Sequence, residues 1–181
     1  MNKSIYKYAA EAGLPVGLYL TLMAIFLFVS IKIESATSLI FLLAAGFPFL
    51  LGYKMRRIAV AEPAYMKVSA LWLGGIYTVI FGTLICALFS GIYLVFVDPG
   101  FINSMVMNAV YSLEGSPMAS EHSATISLMR DAVDAHLLPT GMEFVSTMGW
   151  LTCFSGSVLS LILSLIIVKT GTRRKKLIMG N

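Results

Sequence analysis

Charge is scarce in this chain of 181 residues. Asp, Glu, Lys and Arg together make up 12%, against 58% hydrophobic residues, and the mean hydropathy is +0.86. That leaves too little polar surface to cover a soluble core, so an ordinary water-soluble domain is excluded. Histidine and cysteine are scarcer still, with two of each: His122, His136, Cys86 and Cys153. The histidines lack the i,i+3 or i,i+4 spacing that places two ligands on one helical face, so a helical metal site is excluded. With Glu121, Asp131 and Asp134 they read as solvated polar-face residues, and Arg130 with Asp134 as an i,i+4 pair. Each cysteine sits inside an apolar run and gives neither a zinc spacing nor an exposed thiol, so both read as small packing residues.

What is abundant is long apolar sequence. Four stretches without Asp, Glu, Lys, Arg or His are long enough to cross a bilayer core about 30 Å thick: 12–31, 37–53, 71–97 and 144–168. The expected fold is therefore all-α, an integral membrane protein forming one four-helix transmembrane domain over residues 1–181. The second stretch has 17 residues, about 25 Å of helix, so it fits by slight thinning or by snorkelling of Lys54 and Arg56. The first reads as an uncleaved signal anchor, because its apolar run is too long for a typical signal peptide and "FVSIKIESA" lacks a small-x-small cleavage site.

Basic residues assign the sides. The N-terminus, the segment 54–70 and the tail hold Lys3, Lys7, Lys54, Arg56, Arg57, Lys67, Lys169, Arg173, Arg174, Lys175 and Lys176, with only Glu11 and Glu62 as acids. The other side carries Lys32 and Arg130 against seven carboxylates. Lys- and Arg-rich short segments stay in the cytoplasm, so both termini are expected inside. Lys54, Arg56, Arg57, Lys169, Arg173, Arg174, Lys175 and Lys176 would be the cytoplasmic anchors, within reach of anionic headgroups. The basic pI near 9.1 thus reflects topology, and nucleic acid is not an expected partner.

The external loop, residues 98–143, is expected to hold two short amphipathic helices. Asp98–Pro99 reads as an N-cap and first-position pair opening a helix over 99–113. Gly115 and Pro117 break it, and a second helix follows over 120–138. Thr140 and Glu143 form a T-x-x-E capping box at the start of the fourth span. The loop's negative charge disfavours anionic lipid, so the pair is expected to pack on the bundle or on a partner.

Inside the spans the informative residues are small. Ala70, Gly74, Thr78, Gly82, Cys86 and Ser90 recur every fourth position in the third; the fourth has Gly149, Cys153 and Ser157, and also Gly156, Ser160 and Ser164. Such rows admit close helix–helix contact. A four-residue row drifts about 40° per step, so the third helix could meet more than one neighbour. Gly13 and Gly17 flank Pro15 in the first, and Pro48 should kink the second.

Chemistry has few footholds. The spans offer hydroxyls but no base, and no P-loop or G-x-G-x-x-G is present. "SIYK" and "KTG" match two elements of penicillin-recognising enzymes, but S-D-N is missing and neither lies in a domain of adequate size. No catalytic residue, cofactor or metal is expected.

The layout, with "KYAAEAGLPVGLYL" opening the first span, "LLGYKMRR" closing the second, "LVFVDPGFINSM" leaving the third and a serine-rich fourth span ending in a basic tail, resembles a family of small bacterial four-span inner-membrane proteins catalogued as a domain of unknown function. The resemblance covers nearly the whole chain and implies a multi-pass protein of the bacterial inner membrane. It brings no catalytic residues. Two roles stay open: a non-enzymatic accessory or scaffold subunit of an envelope complex, whose partners are the bilayer and a membrane protein or a second copy, and a small channel or carrier for an uncharged or lipid-like solute.

Overall fold

The computed structural model describes residues 5–31, 33, 35–61, 65–116 and 121–179, with the backbone alone at 35 and 172–179. Lys3, Lys32, Glu34, Glu62 and Pro117 lie outside the described residues, as do the side chains of Arg173, Arg174, Lys175 and Lys176. Six α-helices follow one another: α1 (Ile5–Ser30), α2 (Ser35–Ala61), α3 (Val68–Ile92), α4 (Phe101–Glu114), α5 (Ser123–Asp134) and α6 (Gly141–Met179). A π-helical turn, Tyr93–Val97, extends α3, and no strand occurs among the described residues. Four of the helices, α1, α2, α3 with its π turn, and α6, are long and apolar enough to cross a membrane. An apolar run in lipid has to satisfy its backbone within itself, and the helix is the local way to do so.

Each spanning helix outruns the apolar stretch that announced it. The largest difference is at α2, whose 27 residues continue past Lys54, Arg56 and Arg57 to Ala61. The helix is about 40 Å long, but its apolar part still ends before Lys54, so the basic side chains of Lys54, Arg56 and Arg57 remain the groups that would snorkel to the interface. The apolar run marks where the chain is greasy, whereas Lys, Arg, Met and Ala beyond it are good helix formers and carry the hydrogen-bond ladder onward. α1 and α2 also continue through Pro15 and Pro48.

α3 is the central helix. It packs most broadly on α1 and next on α6, while α2 lies mainly against α1. Two hydrophobic clusters mark the bundle's two ends. At one, Leu51, Met55, Ile58, Ala59, Leu71 and Val79 are buried, with Tyr8, Tyr65 and Val168 around them. The start of α1, the end of α2, the start of α3 and the last spanning turns of α6 therefore meet there. At the other, Phe28, Leu94, Phe101, Ile102 and Val145 join the far ends of α1, α3 and α6 to α4.

The segment 98–143 differs from expectation in its boundaries. Asp98 does not cap α4: its own N–H closes the π turn by donating to the Tyr93 carbonyl (3.0 Å), and its carbonyl accepts from Phe101 N–H (3.2 Å). Asp98–Pro99–Gly100 is thus a turn, and α4 starts at Phe101 after an N-cap Gly100 with no side-chain bond. α5 is shorter than the expected 120–138. Leu137 N–H bonds the Ala132 carbonyl and His136 N–H that of Val133, with His136 left-handed at φ 53°. That pattern is a Schellman stop, here made by a residue with a side chain. Arg130 pairs with Glu114 on α4 at 2.6 Å, rather than with Asp134, since a partner across the helix pair lies closer than one a turn away. Thr140 and Glu143 do form a reciprocal capping box. Thr140 N–H donates to Glu143 Oε2 at 2.8 Å, and Glu143 N–H to Thr140 Oγ1 at 3.3 Å.

Candidate functional site

The small residues do two different things in the two halves of the bundle. Between α1 and α3 they let backbones touch. A Cβ added to Gly13 would lie 2.6 Å from Phe81 Cβ and one on Gly17 2.8 Å from Ile85 Cβ. One on Gly82 would lie 2.8 Å from Val16 Cγ1 and 3.1 Å from the backbone nitrogen of Gly17. Between α3 and α6 the crossing uses Gly75, whose added Cβ would meet Ser160 Cβ at 2.7 Å, and Gly156, whose Cβ would meet Val79 Cγ1 at 2.5 Å. Gly74, Thr78, Gly82 and Ser90 of the sequence-read row are buried and Cys86 is half-buried; on α6, Gly156 and Ser160 are buried, whereas Gly149 and Cys153 are half-buried. The row that meets α6 is thus not that of Gly74 but the one starting one residue on, Leu71, Gly75 and Val79. A parallel row offset by one position carries the same kind of signal, and without the partner helix nothing in the sequence separates the two.

In the other half, small residues from three helices face one another and leave a space. A partly open cavity of about 250 Å³ is lined from α1 by Leu20, Ala24 and Phe28, from α3 by Thr83, Cys86, Ala87 and Ser90, and from α6 by Val145, Gly149 and Thr152, among others. Among the described residues α2 contributes Ile40 alone. A Cβ on Gly149 would meet only Thr83 Cγ2, at 3.6 Å, an ordinary contact. The end of the cavity nearer α4 is closed by Phe28, which stacks on Tyr93 with centroids 4.4 Å apart and meets Phe101 edge-on at 5.0 Å.

The polar groups on this wall are uncharged. Thr152 returns its hydroxyl to the Met148 carbonyl, and Cys86 Sγ lies 3.8 Å from Ser90 Oγ. Thr83 is the exception: it is 8% exposed and its Oγ1 has no hydrogen-bond partner.

Beyond this end, α4 is fixed by buried Phe101, Ile102 and Val110, and Asn108 Nδ2 donates to the Ile31 carbonyl at 3.3 Å. α5 has no buried residue and is carried by α4. Between the two lies an open apolar crevice lined by Met105, Ala109, Leu128, Met129 and Leu138 among others. Glu121, Asp131, Asp134 and His136 are exposed and His122 is half-buried. No group of three His, Cys, Asp or Glu gathers as metal ligands among the described residues. At the opposite end Arg56, Arg57 and Lys169 are exposed, and Lys54 Nζ lies 6.0 Å from the centre of the Tyr53 ring.

A bundle of four apolar helices with a small helical platform at one end defines a multi-pass membrane protein. The chain belongs to the family described as "Protein of unknown function (DUF4199)", which it matches over residues 12–169. No curated protein and no solved structure matches it.

Proposed function

We propose that the protein is a non-enzymatic accessory or scaffold subunit of a cell-envelope complex, and that the α4–α5 platform is its docking surface. The observation that carries this reading is the contrast between the two platform helices. α4 is rooted in the bundle by Phe101, Ile102 and Val110, while α5 has no fully buried residue and exposes Asp131 and Asp134 together with most of Leu128 at the mouth of the α4–α5 crevice. A helix that the chain itself leaves unburied is suited to burial by another protein. The platform lies at the end of the bundle away from Lys54, Arg56, Arg57 and Lys169. By the charge rule it faces outward from a bacterial inner membrane, with both termini in the cytoplasm.

Affinity purification from native membranes tests the role. The intact chain should retain a stoichiometric membrane partner, and a variant lacking residues 120–138 should insert normally and lose it. Single alanines at Glu121, His122, Asp131, Asp134 and His136 should each leave complementation of a deletion strain within about threefold, on the order of 0.7 kcal/mol or less. Loss of all activity from one such alanine in a normally inserted protein would make the platform a chemical site instead. Solute flux into proteoliposomes holding the purified chain alone would favour a carrier. Orientation is tested in a background with Cys86 and Cys153 replaced: Ser116→Cys should react with an impermeant maleimide in intact spheroplasts and Thr172→Cys should not.

A further inference from the structure

We infer that the cavity between α1, α3 and α6 is an intramembrane binding site for a single hydrocarbon chain bearing an uncharged oxygen, and that Thr83 is the group that recognises the oxygen. Three observations support this assignment. The first is size: about 250 Å³ exceeds the ~150 Å³ of an apolar cavity that stays dry and takes up benzene. Because the cavity is partly open, hydrocarbon can enter it and gain van der Waals contacts with lining atoms that the helices leave without partners.

The second is chemistry. The wall is aliphatic and aromatic, with Thr83, Cys86, Ser90 and Thr152 as its polar members and no charged side chain. It suits an alkyl chain and rejects an ion.

The third is the state of Thr83. Thr21, Thr78, Thr147, Thr152 and Thr170 each donate to the carbonyl four residues back, at 2.7–2.9 Å. Thr83, equally helical and, with Thr78, the most buried of these threonines, does not, and its Oγ1 is left without a partner. A buried hydroxyl without a partner is costly in an apolar setting. A threonine in a helix has two accessible χ1 rotamers, so rotation can bring Oγ1 towards an oxygen held in the cavity. Thr83 lies near the middle of the continuous helix Val68–Val97, which places that oxygen deep in the membrane. The route in is lateral. α2 meets α6 where Gly52 adjoins Leu163, but beside the cavity Ile40 is the single described α2 residue in the wall. The occupant is therefore drawn from the bilayer. Binding needs neither transport nor a partner protein, and this proposal stands apart from the docking role.

The test is photolabelling of the full-length chain in phosphatidylcholine nanodiscs with a twelve-carbon alkanol carrying a mid-chain diazirine, the adducts being mapped by mass spectrometry. Labelling at Leu27, Ala87 or Met148 should saturate, and dodecan-1-ol should compete about fivefold better than dodecane, the order expected of one neutral hydrogen bond. Thr83→Val, which keeps the shape and removes the hydroxyl, should erase that preference while leaving dodecane competition unchanged. Ala87→Leu from α3 and Ala24→Leu from α1 should each abolish cavity labelling, so a folding defect at one position does not decide the matter. Labelling that never saturates and spreads equally to lipid-facing Phe154 and Leu161 means that bulk acyl chains fill the space, and overturns the site. A preference for the alcohol that survives Thr83→Val overturns the role of Thr83.

Discussion

The half of the bundle towards the basic end and the half towards the platform are built from similar residues to opposite effect. In the first, each small residue faces a protrusion: Gly75 receives Ser160, Gly156 receives Val79, and Gly82 receives Val16. In the second, Ala24, Ala87 and Gly149 line a common space with Thr83 and Ser90 and nothing protrudes into it. In lipid no hydrophobic driving force pulls helices together, so packing decides stability. The solid half holds the fold, and the hollow half is where the fold can take up something else. What separates them is the partner of a small residue, not the residue itself.

Substitutions can break or sharpen this contrast. The largest effect is expected at Gly82→Leu, which drives a side chain into Val16 and the Gly17 backbone. It should cost more than about 3 kcal/mol, the upper end for overpacking, and show as a collapsed melting transition in detergent. Leu88→Phe, on an exposed position of the same helix, should leave the transition in place. Gly156→Ala comes next, because its Cβ would sit 2.5 Å from Val79 Cγ1. A loss of about 1–3 kcal/mol is expected, and restoration by adding Val79→Ala in a double-mutant cycle would tie the loss to that contact. In the hollow half the sign should turn: Gly149→Ala meets no close atom and should be neutral or raise stability by up to about 1 kcal/mol. A loss there as large as that of Gly156→Ala would end the distinction between the halves. Smallest should be Arg130→Gln, which removes an exposed ion pair to Glu114 worth about 0.2–1 kcal/mol. It should loosen amide protection in α5 without moving the global melting temperature.

The parts of the structure legible in the sequence are those set by short-range rules. Four uncharged runs give the spanning helices, Thr140 with Glu143 gives the start of α6, and the four-residue row from Gly74 to Ser90 marks α3 as a helix that others approach. Asp98 reads as a helix cap in the sequence because a capping side chain and a turn-forming one look alike until the preceding helix is known to end in a π turn. The end of α5 carries no sequence signal because the left-handed stop is made by His136 rather than by the usual Gly or Asn. The cavity had no sequence signal at all. A void is a relation among Ala24, Ala87, Gly149 and Thr83, which lie on three helices and come together only after packing.

Tyr19 carries a mechanical consequence. Its hydroxyl donates to the Leu43 carbonyl on α2 at 2.6 Å, and it reaches there over Gly46, where an added Cβ would lie 2.5 Å from the phenol oxygen. The phenol therefore works as a bolt in a slot one residue wide. Sliding α2 along α1 by a helical turn would draw the bolt and leave a strong dipole bare in hydrocarbon. The α1–α2 pair is thus a rigid frame, and α6 is pinned to α3 in the same manner, by the Trp72 indole N–H donating to the Ser157 carbonyl at 3.1 Å.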